Sequence, residues 1–118
     1  MRIIRNIASN ECAYPLDFSN RTRHFMERAN RLTRTGMGVG KVFAGFLVDK
    51  GHENGLEEHY ITTTGLIIIR NHMTHKAITI LIARKAQIRR YYDATGNDMP
   101  HDLAQIADNN CRIYHYNY

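Results

Sequence analysis

At 118 residues, with 43% hydrophobic and 23% charged side chains, the chain has the size and balance of one globular domain, not of a disordered or fibrous one. Its formal net charge of +5 and pI of about 9.5 favour a polyanionic partner: RNA, another polyanion, or an acidic protein. No apolar run approaches the roughly 18 residues of a membrane span. Met1-Arg2-Ile3-Ile4-Arg5 leads into polar residues, not into the apolar core of a secretory signal, so a cytoplasmic protein with no membrane partner is expected.

Residues 1–17 read as a short edge strand at Arg2-Ile3-Ile4 followed by an irregular arm. Ser19 can cap a first helix over Asn20–Thr33, because its hydroxyl accepts from an otherwise orphaned backbone N–H. At about 100° per residue, Phe18, Thr22, Phe25, Met26, Ala29 and Leu32 share one side of that helix. Arg21, His24, Arg28, Arg31 and Thr35 form a stripe along the edge of that side. Gly36-Met37-Gly38-Val39-Gly40 ends the helix and fails as a phosphate loop, lacking the preceding strand and the Gly-Lys-Ser/Thr. A second amphipathic helix is expected over Val39–Lys50, with Val39, Val42, Phe43, Phe46 and Leu47 on one face and Gly51 as its cap.

A polar loop at 52–58 leads into an antiparallel meander. Its strands are Tyr60–Thr63, Leu66–Arg70 and Ala77–Ala83, joined by a tight turn at Thr64-Gly65 and a polar turn at Asn71–Lys76. The middle strand is apolar from Leu66 to Ile69, so both of its faces should be covered. Arg84–Tyr92 reads as a short helix with Ile88, Tyr91 and Tyr92 on one face. A last helix starts at Asp98 or Pro100, turns Leu103, Ile106 and Ala107 inward, and ends at Asn109-Asn110. The tail 111–118 alternates as an edge strand would, or stays mobile. The expectation is therefore a single α+β domain over 1–118. N-terminal helices pack on a three- to four-stranded antiparallel meander, and short C-terminal helices follow.

Several chemistries lack support. His72-Met73-Thr74-His75 has an HxxH spacing in a turn, and His52 and His59 flank a loop with Glu53, Glu57 and Glu58, but neither is a zinc signature. Cys12 and Cys111 match no zinc motif and read as free thiols. No serine sits in a nucleophile elbow, and no cofactor is implied. What stands out is a metal-free set of histidine, arginine and tyrosine. Cleavage of RNA by transesterification uses such groups: a base for the 2′-hydroxyl, an acid for the leaving oxygen, and cations for the phosphorane. His24 with Arg28 and Arg31 can supply part of that set, and His59 with Tyr91 or Tyr92 the remainder.

Thr22-Arg23-His24-Phe25-Met26-Glu27-Arg28 fits the pattern R-x-H-x-x-x-R only loosely, through the histidine and the arginine four residues on. With the meander that follows, the layout over roughly Ser19–Tyr92 resembles small bacterial and phage domains related to the RelE, barnase, EndoU and colicin-type ribonucleases. The resemblance implies a metal-independent, toxin-like endoribonuclease, with His24 and Arg28 at the matched positions. The expected catalytic residues are His24, Arg28, His59 and Tyr91. The expected nucleic-acid contacts are Arg21, Arg28, Arg31, Arg89 and Arg90. An antitoxin or an inhibited target would be the acidic protein partner. The alternative is a non-catalytic module, a phage-type inhibitor or a nucleic-acid binder, that uses the same basic helix face.

Overall fold

A computed structural model describes residues 3–7, 20–38, 42–48, 56–96 and 102–117. The chain is α+β. Strands β1 (Ile3–Ile7), β2 (Val42–Val48), β3 (Glu57–Thr62), β4 (Leu66–Asn71) and β5 (Ala77–Ile82) pair with their sequence neighbours in one antiparallel sheet, in the order β1-β2-β3-β4-β5. Helix α1 (Arg23–Arg34) lies between β1 and β2 in sequence. Helices α2 (Lys85–Thr95) and α3 (Leu103–Asn117) follow the sheet.

The meander forms where the β-branched residues and the Gly65 turn demanded it. Gly65 has φ +81°, and the turn closes through Gly65 N–H to Thr62 O at 3.1 Å. The edge strand expected at Arg2–Ile4 appears as β1. The largest correction concerns Val42–Val48, expected as helix and found as strand β2. Its apolar residues satisfy helical spacing only because every position from Val42 to Val48 is apolar or small. A run of seven such residues can equally be a strand buried on both faces. A bulge between Val42 and Ala44 lets Val42 and Leu47, five residues apart, enter the same core layer. Val39, Lys50 and Gly51 lie outside the described residues.

Two core layers cover the sheet. Phe25, Leu32 and Met37 pack on Val42, Leu47, Tyr60, Leu66, Ile68 and Ile80, which makes this the α1 layer. On the other face, Ile88, Tyr91, Tyr92, Leu103 and Ala107 pack on Phe46, Val48, Ile61, Ile67 and Ile69, the α2–α3 layer. β4 is thus buried on both sides, as its sequence required.

The helix ends differ from expectation in three places. Ser19 lies outside the described residues, and the cap of α1 is Thr22, whose Oγ1 accepts from Phe25 N–H at 3.0 Å and donates to Ile78 O at 2.7 Å. The helix starts late because Asn20–Thr22 pairs with β5: Thr22 N–H donates to Ala77 O and Ala77 N–H to Asn20 O. Helix α2 runs on to Thr95 and ends on left-handed Gly96. Helix α3 does not stop at Asn109-Asn110, and the tail expected as an edge strand or a mobile segment is helical to Asn117. Pairs four residues apart hold it: Gln105 Nε2 to Asn109 Oδ1 at 3.0 Å, and Arg112 to Asp108 at 2.7 Å. Asn110 is no stop signal; its amide donates to Thr64 O and ties α3 to the β3–β4 turn.

Candidate nucleic-acid interface

Nine of the sixteen lysines and arginines fall in residues 21–34 and 84–90, with Glu27 the one carboxylate among them. The rest of the chain therefore carries a net negative formal charge, and the positive field belongs to α1 and the start of α2. On α1, burial of Phe25 and Leu32 turns His24, Arg28 and Arg31 to one flank. His24 and Arg31 are exposed, and Arg28 is half-buried. Arg21 is exposed and sits in the short bridge to Ala77. Arg23 and Arg34 point away from that flank, and Arg23 pairs with Glu27 at 3.2 Å in the open.

Arg28 opens into a cavity of about 280 Å³ that it shares with Leu81, Ile82, Arg84, Gln87, Cys111 and Tyr114. α1, the end of β5, the start of α2 and the last turns of α3 meet there. The Nε of Arg28 is buried with no hydrogen-bond partner among the described residues. Gln87 accepts from the Arg84 backbone N–H at 2.9 Å, and the Cys111 thiol lies 3.9 Å from Ala83 O. No acidic residue stands in the first turn of α2, so the helix dipole there adds to the positive potential.

Arg89 and Arg90 occupy a different surface. With Ile88, Tyr91 and Tyr92 turned into the core, they line an open groove on the outer face of α2 together with Lys85, Ala86 and Asp93. The structure thus brings Arg28 together with Arg84, a residue the sequence did not single out, and leaves Arg89 and Arg90 on another side of the same helix.

His59 and Tyr91 sit in the α2–α3 layer, across the sheet from His24 and Arg28. Tyr91 is fully buried, stacked on Phe46 with ring centroids 4.7 Å apart, and its hydroxyl lies 3.5 Å from Gly45 O. His59, also buried, packs against the same Phe46 at 5.2 Å, and its Nε2 lies 3.2 Å from Glu57 Oε2. The two share a neighbour in the core, on the face of the sheet that α1 does not cover.

On the α1 side of β3, Glu58 is 4% exposed, a burial that a carboxylate tolerates only when paired. Arg70 supplies the pair: Nε donates to Glu58 Oε1 at 2.8 Å, and Nη2 donates to Tyr60 Oη at 2.8 Å. The guanidinium also lies 5.2 Å from the centre of the Tyr60 ring. His72 Nδ1 stands 3.5 Å from the other Glu58 oxygen, within ion-pair distance but without hydrogen-bond geometry. This cluster engages the arginine of β4 in an internal contact, which marks it as a fastening between β3 and β4.

Among the described residues, no three His, Cys, Asp or Glu side chains converge as a metal site would need, and no helix is long and apolar enough to cross a membrane. No protein-family model, no curated protein and no solved structure matches the chain.

Proposed function

We propose that the protein binds a polyanion, RNA in the first place, through the α1 flank that carries His24, Arg28 and Arg31 and through the cleft that this flank shares with Arg84. One observation carries the reading: two cationic side chains from separate elements converge on a cavity in which the buried Arg28 Nε has no hydrogen-bond partner among the described residues. A buried donor left unmade costs roughly 1–3 kcal/mol, and a phosphate oxygen entering the cavity would satisfy it. Arg70, by contrast, is committed to Glu58 and Tyr60 inside the fold.

The test is binding of labelled RNA across a salt series. Arg28→Ala and Arg31→Ala should each weaken binding and reduce the slope of log affinity against log salt by roughly one unit. Unchanged affinity and slope in both variants would reduce the flank to a solvated face.

Metal-independent RNA cleavage is the second reading. It is favoured by one observation: His24 is exposed on the flank of Arg28, one helical turn away, so both can reach one phosphate. Incubation with RNA in EDTA tests it. Cleavage lost by roughly two orders of magnitude in His24→Gln, with binding retained, would support it. Intact RNA under all conditions would leave binding as the function. His59 and Tyr91, committed to the core across the sheet, have no part in either reading.

A further inference from the structure

We propose that the cleft between α1 and α2 holds one unstacked nucleotide, so that the preferred ligand is a single-stranded nucleic acid and not a duplex. The inference rests on the polyanion-binding reading above and adds to it the class of strand.

The argument begins with shape. The site is a cavity between α1, β5, α2 and α3, not a protruding helix or ribbon. A duplex shows its bases only inside its grooves, and an element that reads them must enter the groove. A concave site has nothing to insert. A single strand can instead turn a base out of its stack and into the protein.

The lining fits that ligand part by part. Arg28 and Arg84 give two guanidinium groups for a phosphate. Leu81, Ile82 and Tyr114 give an apolar and aromatic wall. Tyr114 is half-buried and packs against the α1 layer, so its ring is held in place as a platform. A fixed aromatic ring beside cations is the pairing by which sequence-tolerant proteins hold single strands, because every base has a face to stack and every link has a charge. Gln87 completes the set. Its side-chain oxygen is engaged by the Arg84 N–H, which leaves the amide NH₂ as a donor for the edge of a base. A polyanion without bases, such as polyphosphate, would use the arginines and gain nothing from Tyr114 or Gln87.

The experiment compares three probes at one salt concentration: a labelled single-stranded oligonucleotide, the same sequence as a duplex, and polyphosphate. The single strand should bind about tenfold more tightly than the duplex. Tyr114→Leu keeps an apolar side chain on the α1 layer, and should cost the single strand about tenfold while moving polyphosphate less than twofold. Arg28→Ala should weaken all three. Circular dichroism on each variant confirms folding, and Gln87→Ala, at a half-buried position of the cleft, serves as the independent variant should Tyr114→Leu unfold. Equal binding of single strand and duplex, or loss of polyphosphate binding as large as loss of single-strand binding in Tyr114→Leu, would overturn the nucleotide pocket and leave the polyanion reading standing. If none of the three probes binds at low salt, both fall.

Discussion

Gly65→Ala probes the join between the sheet and α3. Gly65 sits at φ +81°, where an L-residue pays about 1–2 kcal/mol against its Cβ. A methyl there would also meet α3. An ideal Cβ lies 2.9 Å from Asn110 Nδ2, 3.1 Å from Ile106 Cγ2 and 3.2 Å from the Ala107 backbone N. The Asn110 amide could swing away, but it donates to Thr64 O, and giving up that bond costs about 1 kcal/mol. The Ala107 nitrogen is helix backbone and cannot move without α3. Together these contributions predict a loss of about 2–4 kcal/mol.

Gly96→Ala is the matched control. Gly96 also has positive φ, +70°, yet nothing lies within 4 Å of the position its methyl would take, so the backbone cost of about 1–2 kcal/mol stands alone. Urea unfolding followed by circular dichroism measures both, read as midpoint shifts at constant m. In the Asn110→Ala background the Gly65→Ala cost should shrink, since one of its clashes and the bond it breaks are gone. Equal losses at Gly65 and Gly96 would refute the docking of α3 on this turn.

Phe46→Ala should cost about 3–5 kcal/mol in the same assay, because the ring is 1% exposed, stacked on Tyr91 and packed at a tilt against His59. Arg70→Met should cost about 3–5 kcal/mol by leaving Glu58 buried without its cation, and Glu58→Leu in that background should recover much of the loss. Burial, and then the neighbouring Tyr91, hold the Tyr92 phenol well above its ordinary value of 10.0. The unfolded phenol gives up its proton near pH 10 while the folded one keeps it, so this stability is whole below that pH and falls as pH rises beyond it. The alkaline unfolding step should carry a phenolate absorbance change, and Tyr92→Phe should reduce that step by one tyrosine and, since the hydroxyl has no partner among the described residues, leave stability at neutral pH unchanged or slightly higher.

The parts of the fold legible in the sequence were those with one dominant signal. Thr64-Gly65 between two β-branched runs marked a hairpin, and β3, β4 and β5 lie within a few residues of their expected bounds. Ile88, Tyr91 and Tyr92 on one helical face foretold their burial. β2 was misread because a fully apolar run matches helical and extended periods alike, and its length of seven was the better guide. The tail was misread because Tyr114, Tyr116 and Tyr118 alternate with polar residues there, while the pair Asp108–Arg112 follows the helical spacing that carries α3 past Asn110. Of the site, Arg28 was legible from its spacing to His24 and Arg31. The Glu58–Arg70 pair was not legible, because a two-residue turn at Thr64-Gly65 would set His59 opposite Arg70, whereas the turn at residues 63–65 has Ile61 facing Ile67 and Glu58 opposite Arg70. Neither were Arg84 and Tyr114. Arg84 meets Arg28 because the end of β5 lies against α1, and Tyr114 because α3 continues past Asn110, and no local pattern records either.

The partition of charge makes the binding hypothesis separable from the fold. Inside the sheet, Glu58 and Arg70 answer each other, and disturbing either one is a question of stability. On the helices, His24, Arg31, Arg89 and Arg90 are exposed, and substitutions at such positions usually change stability by less than about 0.5 kcal/mol. A loss of polyanion binding in Arg31→Ala at unchanged unfolding midpoint would therefore report on the ligand alone. Arg28 belongs to both accounts. Its stem packs at the junction of α1 with β5, while its Nε awaits a partner in the cleft. Arg28→Lys keeps a charge and most of the stem but loses the planar fork and the buried Nε donor. If the cleft binds phosphate through that fork, Arg28→Lys should bind RNA nearly as weakly as Arg28→Ala while unfolding close to the parent. If Arg28 acts only as diffuse positive charge, Arg28→Lys should bind as the parent does, and the cleft would lose its standing as the site.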